Sequence, residues 1–89
     1  MSDSDLFFAS LHPHIFRIDL HGISDIVSAL EQLEKELFFA FQKGELYCQV
    51  IHGIGSGKLA AAVHESLQKN PMVQKFQEEE SGGSCIVSF

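Results

Sequence analysis

The chain has 89 residues, with 12 acidic against 6 basic side chains and a formal net charge of -6. This length allows one domain with a modest core, and a hydrophobic share of 45% indicates a folded globular protein rather than a disordered chain. The acidic balance and the scattered basic residues exclude a broad basic surface for nucleic acid, because phosphate contacts need clustered Lys and Arg. Any binding to a polyanion must therefore be local, weak or dependent on a partner chain.

The hydropathy and the two cysteines indicate where the protein works. No apolar stretch reaches the roughly 18 residues that a membrane helix needs, and the N-terminus lacks the basic and apolar segments of a signal peptide. Cys48 and Cys85 lie in apolar, strand-like runs and are not spaced like zinc ligands. We expect buried free thiols in a reducing compartment, and hence a cytoplasmic protein without a disulfide.

Residues 1–14 are predicted to form an N-terminal arm in front of one domain that covers residues 15–89. The arm mixes Ser and Asp with several apolar residues. Two interpretations remain open: a loosely held segment, or a segment that docks on the domain through Phe7 and Phe8.

A strand and a long helix open the domain. Residues 15–21 alternate, with one apolar side and with Arg17, Asp19 and His21 on the other side. A helix is predicted from about Asp25 to Lys43, with Ser24 as its N-cap and Gly44 just past its end. Its buried stripe is predicted to comprise Ile26, Leu30, Leu33, Leu37 and Phe41.

The end of this helix is apolar on more than one side. Phe39 points nearly opposite Leu37, since successive helical residues are about 100° apart. We therefore predict that Phe38 and Phe39 are covered by a partner, which is either the N-terminal arm or a second chain.

The second half of the domain is predicted to continue as strand, helix, strand, strand. The strand 46–51 leads into the glycine-rich loop 52–57, and a helix follows from about Lys58 to Lys69, stopped by Asn70-Pro71. Strands over about 73–77 and 85–89 are joined by a polar hairpin loop, 78–83. The order βαβαββ makes the first two strands parallel and predicts a two-layer α/β domain with both helices on one face of the sheet.

Adjacent parallel strands end at the same edge of a sheet, which is where open α/β domains bind ligands. Asp19 and His21 would then lie near His52 and the amides of the glycine loop. A carboxylate, two imidazoles and several N–H donors suit phosphodiester cleavage, which needs a base, an acid and donors to phosphate. His12, His14 and His64 are interpreted as surface or packing residues.

Alternative interpretations of the loop are weaker. Gly53, Gly55 and Gly57 fit neither the dinucleotide-binding pattern nor the P-loop, where Leu59 stands in place of Ser or Thr. Two His and one Asp could hold a divalent metal, but their spacing is not diagnostic, so no metal ligand is predicted.

The segments Ile18-Asp19-Leu20-His21-Gly22 and His52-Gly53-Ile54-Gly55-Ser56-Gly57 resemble the two motifs of the Smr (small MutS-related) domain, found at the C-terminus of MutS2 proteins. The family carries L-D-x-H-G on its first strand and H-G-x-G-x-G after its second. The separation of about thirty residues and the glycines before the last strand are similar too. The resemblance covers roughly residues 15–89.

The resemblance implies an α/β sandwich similar to the C-terminal domain of translation initiation factor three, with a mixed sheet in the order 1-2-4-3 and strand four antiparallel. It also implies binding of DNA or RNA and, in several family members, nicking endonuclease activity. By position, Asp19, His21 and His52 correspond to the catalytic motif residues. Phosphate would be held by Gly53, Gly55, Ser56, Gly57 and Lys58.

Three hypotheses follow. The leading one is a nucleic-acid-binding endonuclease in which His21 and His52 transfer protons and Asp19 orients an imidazole or holds a metal. The second is a non-catalytic nucleic-acid-binding module. The third is a protein-interaction domain that docks through Phe38 and Phe39. The acidic charge favours the third hypothesis, whereas Asp19, His21 and His52 favour the first two. Ile54 stands where family loops often carry Lys or Arg, which counts against nucleic-acid affinity.

Overall fold

The computed structural model describes residues 3–89, so the first two residues of the predicted arm lie outside the described range. The elements are α1 (Asp3–Ser10), β1 (Phe16–Asp19), α2 (Ile26–Lys43), β2 (Tyr47–Ile51), α3 (Lys58–Lys69), β3 (Lys75–Glu78) and β4 (Ser84–Ser88). Within residues 3–89, none of the helices combines the length and the apolar character that a membrane crossing requires.

The four strands form one mixed sheet in the order β1-β2-β4-β3. β1 and β2 are parallel, with Asp19 opposite Ile51 at their carboxyl ends. β4 lies between β2 and β3 and is antiparallel to both. The predicted strand order 1-2-4-3 and the antiparallel last strand are therefore confirmed.

The main core lies between the sheet and the two long helices. Leu33 and Leu37 of α2 and Val63 and Leu67 of α3 pack against the inward side chains of β1, β2 and β4. Burial of each such side chain contributes roughly 1.5–3 kcal/mol. The predicted two-layer sandwich with both helices on one face is confirmed.

The orientation of α2 differs from the expectation in two respects. Its buried residues are Ala29, Leu33, Leu37 and Ala40, whereas Ile26 and Phe41, predicted to be in the stripe, are 39% and 47% exposed. The N-cap is Asp25 rather than Ser24, since its carboxylate accepts a hydrogen bond from the Ser28 amide at 2.9 Å. Ala29 and Ala40 are fully buried, so the buried face of α2 runs through two small side chains instead of through Ile26 and Phe41.

The opposite face of the sheet is partly covered by α1. Leu6 is buried with Ile15 and Ile86, and Ala9 packs against this small cluster. Phe7 and Phe8 remain 57% and 66% exposed, so docking through these two side chains, one of the two open interpretations, is wrong. Leu6 and Ala9 are three residues apart and share the helix face that meets β4, whereas Phe7 and Phe8 point elsewhere.

The predicted cover over Phe38 and Phe39 is not supplied by the N-terminal segment. These rings are 51% and 56% exposed, and Phe39 contacts only the ring of Phe16 among the described aromatic residues, at 6.0 Å between centroids. Because α1 packs on the strands, the N-terminal alternative is wrong and a second chain remains the open one.

Candidate functional site

The carboxyl ends of β1 and β2 place the two sequence motifs side by side. The amide of Leu20 donates to the carbonyl oxygen of Ile51 at 2.7 Å, which extends the parallel pairing beyond Asp19. A Cβ atom added at Gly53 would come within 3.3 Å of the His21 Cβ. The segments that follow the two strands therefore lie in contact at one edge of the sheet.

Asp19 holds His21 in a defined orientation. Its Oδ1 accepts hydrogen bonds from the His21 amide at 3.1 Å and from the ring Nδ1 at 2.5 Å. These bonds lower the pKa of Asp19, so its carboxylate stays ionised where an imidazole titrates. Since Nδ1–H points at the carboxylate, Nε2 is the nitrogen left for a substrate, and the side chain is 65% exposed.

His21 borders an open cleft of about 370 Å³ that is also lined by the glycine loop and the start of α3. No carboxylate lines this cleft within the described residues, in contrast to the acidic balance of the whole chain. The residues that line it are His21, Gly22, His52, Gly53, Ile54, Gly55, Ser56, Gly57, Leu59 and Ala60. The local environment is therefore compatible with an anion.

The amides of the loop divide into two groups. Those of His52 and Gly53 donate to the Gly83 carbonyl oxygen at 3.0 and 2.8 Å, so the predicted phosphate contact from the Gly53 amide is wrong. In the described chain the amides of residues 54–57 have no protein acceptor. Lys58 has no ion pair within residues 3–89, and its amide lies 3.4 Å from the Ser56 hydroxyl.

Gly57 is the N-cap residue in front of α3 and has φ at +86°, a left-handed conformation that side chains disfavour. It has no side-chain capping hydrogen bond. The N-terminus of α3 therefore opens into the cleft with only the long bond from the Lys58 amide to the Ser56 hydroxyl as a side-chain contact, which suits a helix start that binds an anion.

His52 has a different environment, although it comes from the same edge. Its side chain is fully buried. Nδ1 donates to the Gly53 carbonyl oxygen at 2.8 Å, and Nε2 lies 3.1 Å from Oε1 and 3.3 Å from Oε2 of Glu78. The structure therefore does not bring the two imidazoles to solvent together, because only His21 offers a free ring nitrogen.

Two residues around His52 were missed by the sequence reasoning. His64 Nε2 lies 2.5 Å from Glu78 Oε2, and the His64 ring stacks on Phe76. The signals were available: His64 lies three positions before Leu67 on the buried side of α3, and Glu78 follows Phe76 at strand periodicity. His52, His64, Glu78 and Cys85 place potential metal-ligand atoms within 4.8 Å of one another.

Both cysteines are free and buried, as predicted. Burial, with the nearby Glu45 and Glu36, raises the pKa of the Cys48 thiol from 9.0 to about 12. Burial, followed by the charge of Glu78, also raises the pKa of Cys85.

Comparison with known proteins agrees with the two motifs at this edge. The family model described as the Smr domain matches residues 18–88. The chain belongs to the Smr domain family.

Relatives of this Smr domain include much longer proteins. It is 45% identical over 64 residues to Endonuclease MutS2 of Aquifex aeolicus. The aligned segment covers 70% of this chain and 8% of the relative. Endonuclease MutS2 of Halothermothrix orenii is 38% identical over 71 residues, 78% of this chain and 9% of the relative. The chain thus spans about a tenth of the length of these relatives.

A solved structure supports the same relationship. The Smr domain of Thermus thermophilus MutS2 superposes with a TM-score of 0.78 at 27% identity, covering 83% of this chain and 96% of that one. The described architecture is therefore that of an Smr domain.

Proposed function

We propose that this Smr domain binds nucleic acid in the cleft beside the glycine loop and hydrolyses a phosphodiester bond there. The observation that carries the proposal is the Asp19–His21 pair, with Nδ1 held at 2.5 Å from the carboxylate and Nε2 directed to solvent beside the cleft. The relatives named as endonucleases support the class of reaction.

His21 acts as the general base in this mechanism. Its Nε2 takes a proton from a water molecule, whose oxygen then attacks phosphorus. Asp19 fixes the tautomer that leaves Nε2 without a proton and stabilises the imidazolium that forms. The leaving oxygen takes its proton from solvent, because an in-line attack puts it on the side away from His21.

The phosphate is held by the free part of the loop. The amides of residues 54–57 and the Lys58 ammonium supply positive charge where negative charge grows on the phosphoryl oxygens. Gly53 contributes by allowing the close contact with His21 rather than by donating its amide.

His52 is a positioning residue in this proposal. Its Nδ1 donates to the Gly53 carbonyl oxygen and thereby fixes the first residue of the loop after β2. The buried ring has no route to a proton on a bound substrate, which distinguishes its role from that of His21.

A cleavage assay on supercoiled plasmid and on structured RNA tests the proposal. The variant His21→Ala should lower the cleavage rate of the preferred substrate about 10²–10⁴-fold, the usual contribution of a general base. The matched control is His14→Ala, which removes an exposed imidazole outside the cleft and should cleave at the wild-type rate. Equal rates for all three proteins would overturn the catalytic role.

A second candidate function is protein interaction through the helix α2 surface. One observation favours it: Phe38 and Phe39 are each more than half exposed. Self-association that Phe39→Glu abolishes, measured by sedimentation, would support it. A monomeric wild-type chain would count against this alternative.

A further inference from the structure

Behind the glycine loop, four side chains from four separate segments of the chain converge on one point. They are His52 after β2, His64 on α3, Glu78 on β3 and Cys85 on β4, and their potential ligand atoms all lie within 4.8 Å of one another. The cluster depends on the tertiary fold and has no short sequence motif. The proposed cleavage mechanism does not use it.

The sheet itself brings two of the four together. Glu78 and Cys85 are directly paired across β3 and β4, so both side chains are on the same face. The rings of the two histidines are 5.6 Å apart between centroids, with an angle of 84° between their planes. His64 and Glu78 are each about one-third exposed, whereas His52 and Cys85 close the inner side.

The hydrogen bonds around His52 leave its Nε2 atom without a donor. The Gly53 carbonyl oxygen can only accept, so the proton of a neutral His52 ring is on Nδ1. Nε2 is then an acceptor that faces both carboxylate oxygens of Glu78, at 3.1 and 3.3 Å. A positive species between Nε2 and Glu78 removes this repulsion. The Cys85 thiol makes no hydrogen bond within residues 3–89.

We propose that these four residues bind one zinc ion through His52 Nε2, His64 Nε2, a Glu78 carboxylate oxygen and the Cys85 thiolate. Two imidazoles, one carboxylate and one thiolate suit Zn²⁺ or Co²⁺ and not Mg²⁺, which prefers oxygen ligands. Binding breaks the S–H bond of Cys85, releases its proton to solvent and forms the metal–sulfur bond.

The distance between His52 and Glu78 agrees with tetrahedral coordination, and the other ligand atoms need shifts to reach it. Bonds of about 2.0–2.1 Å at the tetrahedral angle put neighbouring nitrogen and oxygen ligands about 3.3 Å apart. The separations between His52 Nε2 and Glu78 already have this value. His64 and Glu78, at 2.5 Å, need to separate by less than 1 Å, which their partly exposed side chains allow.

Four protein ligands complete the coordination, so the site is structural rather than catalytic. The Nδ1–H bond from His52 to Gly53 is the outer hydrogen bond that orients a metal-bound imidazole. The ion would join β2, α3, β3 and β4 behind the cleft and fix the base of the glycine loop. Zinc binding is measured without nucleic acid, so its outcome is independent of the cleavage assay.

Cobalt titration of the metal-free, reduced chain tests the site. One equivalent of Co²⁺ should produce the strong visible bands of tetrahedral coordination and a thiolate-to-cobalt charge-transfer band. One equivalent of Zn²⁺ should remove both and raise the melting temperature. Mg²⁺ should do neither.

Three variants locate the ligands. Cys85→Ser should abolish the charge-transfer band, and His64→Gln should weaken Co²⁺ binding at least about tenfold while that band remains. The His64 side chain is partly exposed, so His64→Gln is expected to fold, and circular dichroism verifies the fold. Cys48→Ala removes the other buried thiol and should bind Co²⁺ like the wild type.

Three results would overturn the zinc site. The folded chain could fail to bind Co²⁺, or it could bind Co²⁺ equally well in Cys85→Ser and His64→Gln. Nitrogen-15 NMR could also show a proton on His52 Nε2 in the presence of excess Zn²⁺, in which case the ring itself supplies the positive species.

Discussion

His21 and His52 follow neighbouring parallel strands and border the same cleft, yet their surroundings are opposite. The His21 side chain is 65% exposed and is held through Nδ1 by one carboxylate. The His52 side chain is fully buried, with a carbonyl oxygen at Nδ1 and a carboxylate at Nε2. A proton-transfer group needs a nitrogen that the substrate can reach, which the exposed His21 ring has and the buried His52 ring does not. The two histidines therefore have different uses.

Activity should show the largest difference between the two regions. The proposed general base makes His21→Ala lose about 10²–10⁴-fold in cleavage rate with the melting temperature unchanged, because the side chain is exposed. Asp19→Asn should also lower the cleavage rate, because the variant has no carboxylate to fix the His21 ring. A plasmid or RNA cleavage assay beside thermal unfolding checks both, and a large loss of stability in His21→Ala would contradict the exposed role.

The free energy of unfolding should show the opposite difference, with a larger loss in the His52 variant than in the His21 variant. His52→Ala should lower the free energy of unfolding by about 2–4 kcal/mol, because it leaves a cavity and removes the hydrogen bond that Nδ1 donates to the Gly53 carbonyl oxygen. Urea unfolding measures this effect, with His21→Ala as the matched control expected within about 0.5 kcal/mol of the wild type. Similar stabilities of the two variants would mean that the buried ring contributes little to the fold.

The sequence predicted the exposed region better than the buried one. Asp19, His21 and the glycine loop are short motifs at strand ends, and the parallel pairing of β1 and β2 brings them together without any side-chain detail. α3 was placed at Lys58–Lys69 because an apolar stripe and Asn70-Pro71 define it locally.

The buried cluster depends on contacts between distant segments, which a single sequence does not display. Glu78 belongs to a run of acidic residues typical of a loop, but pairing with Cys85 places it at the end of β3 instead. α1 was missed for a related reason: its docking rests on Leu6, with no apolar periodicity around it. Local sequence patterns therefore predicted the sheet edge that carries the two motifs, whereas the buried cluster depends on contacts between distant segments.

The buried thiols offer a smaller test of the interior. Burial raises the pKa of Cys48 from 9.0 to about 12, so from pH 9 upward the unfolded chain loses a proton that the folded chain keeps. Stability from this group is present below pH 9 and falls by about 1.4 kcal/mol per pH unit above it. Urea unfolding at pH 8, 9 and 10 should give a shallower pH dependence for Cys48→Ala than for the wild type. Parallel curves would show that Cys48 titrates normally.

The smallest expected effect concerns the charge of the exposed region, where one cation and one apolar residue flank the free amides of the loop. Lys58→Ala should weaken binding to a DNA or RNA fragment a few-fold and make the slope of log K against log salt shallower by about one. Ile54, 70% exposed on the same loop, provides the opposite change: Ile54→Lys should strengthen binding and steepen the slope by a similar amount. Lys69→Ala, at the far end of α3 and paired with Glu65, is the control and should bind like the wild type. If all three variants bound with the wild-type slope, phosphate would not be held at the start of α3, and the exposed cleft would lose its part in the proposed function.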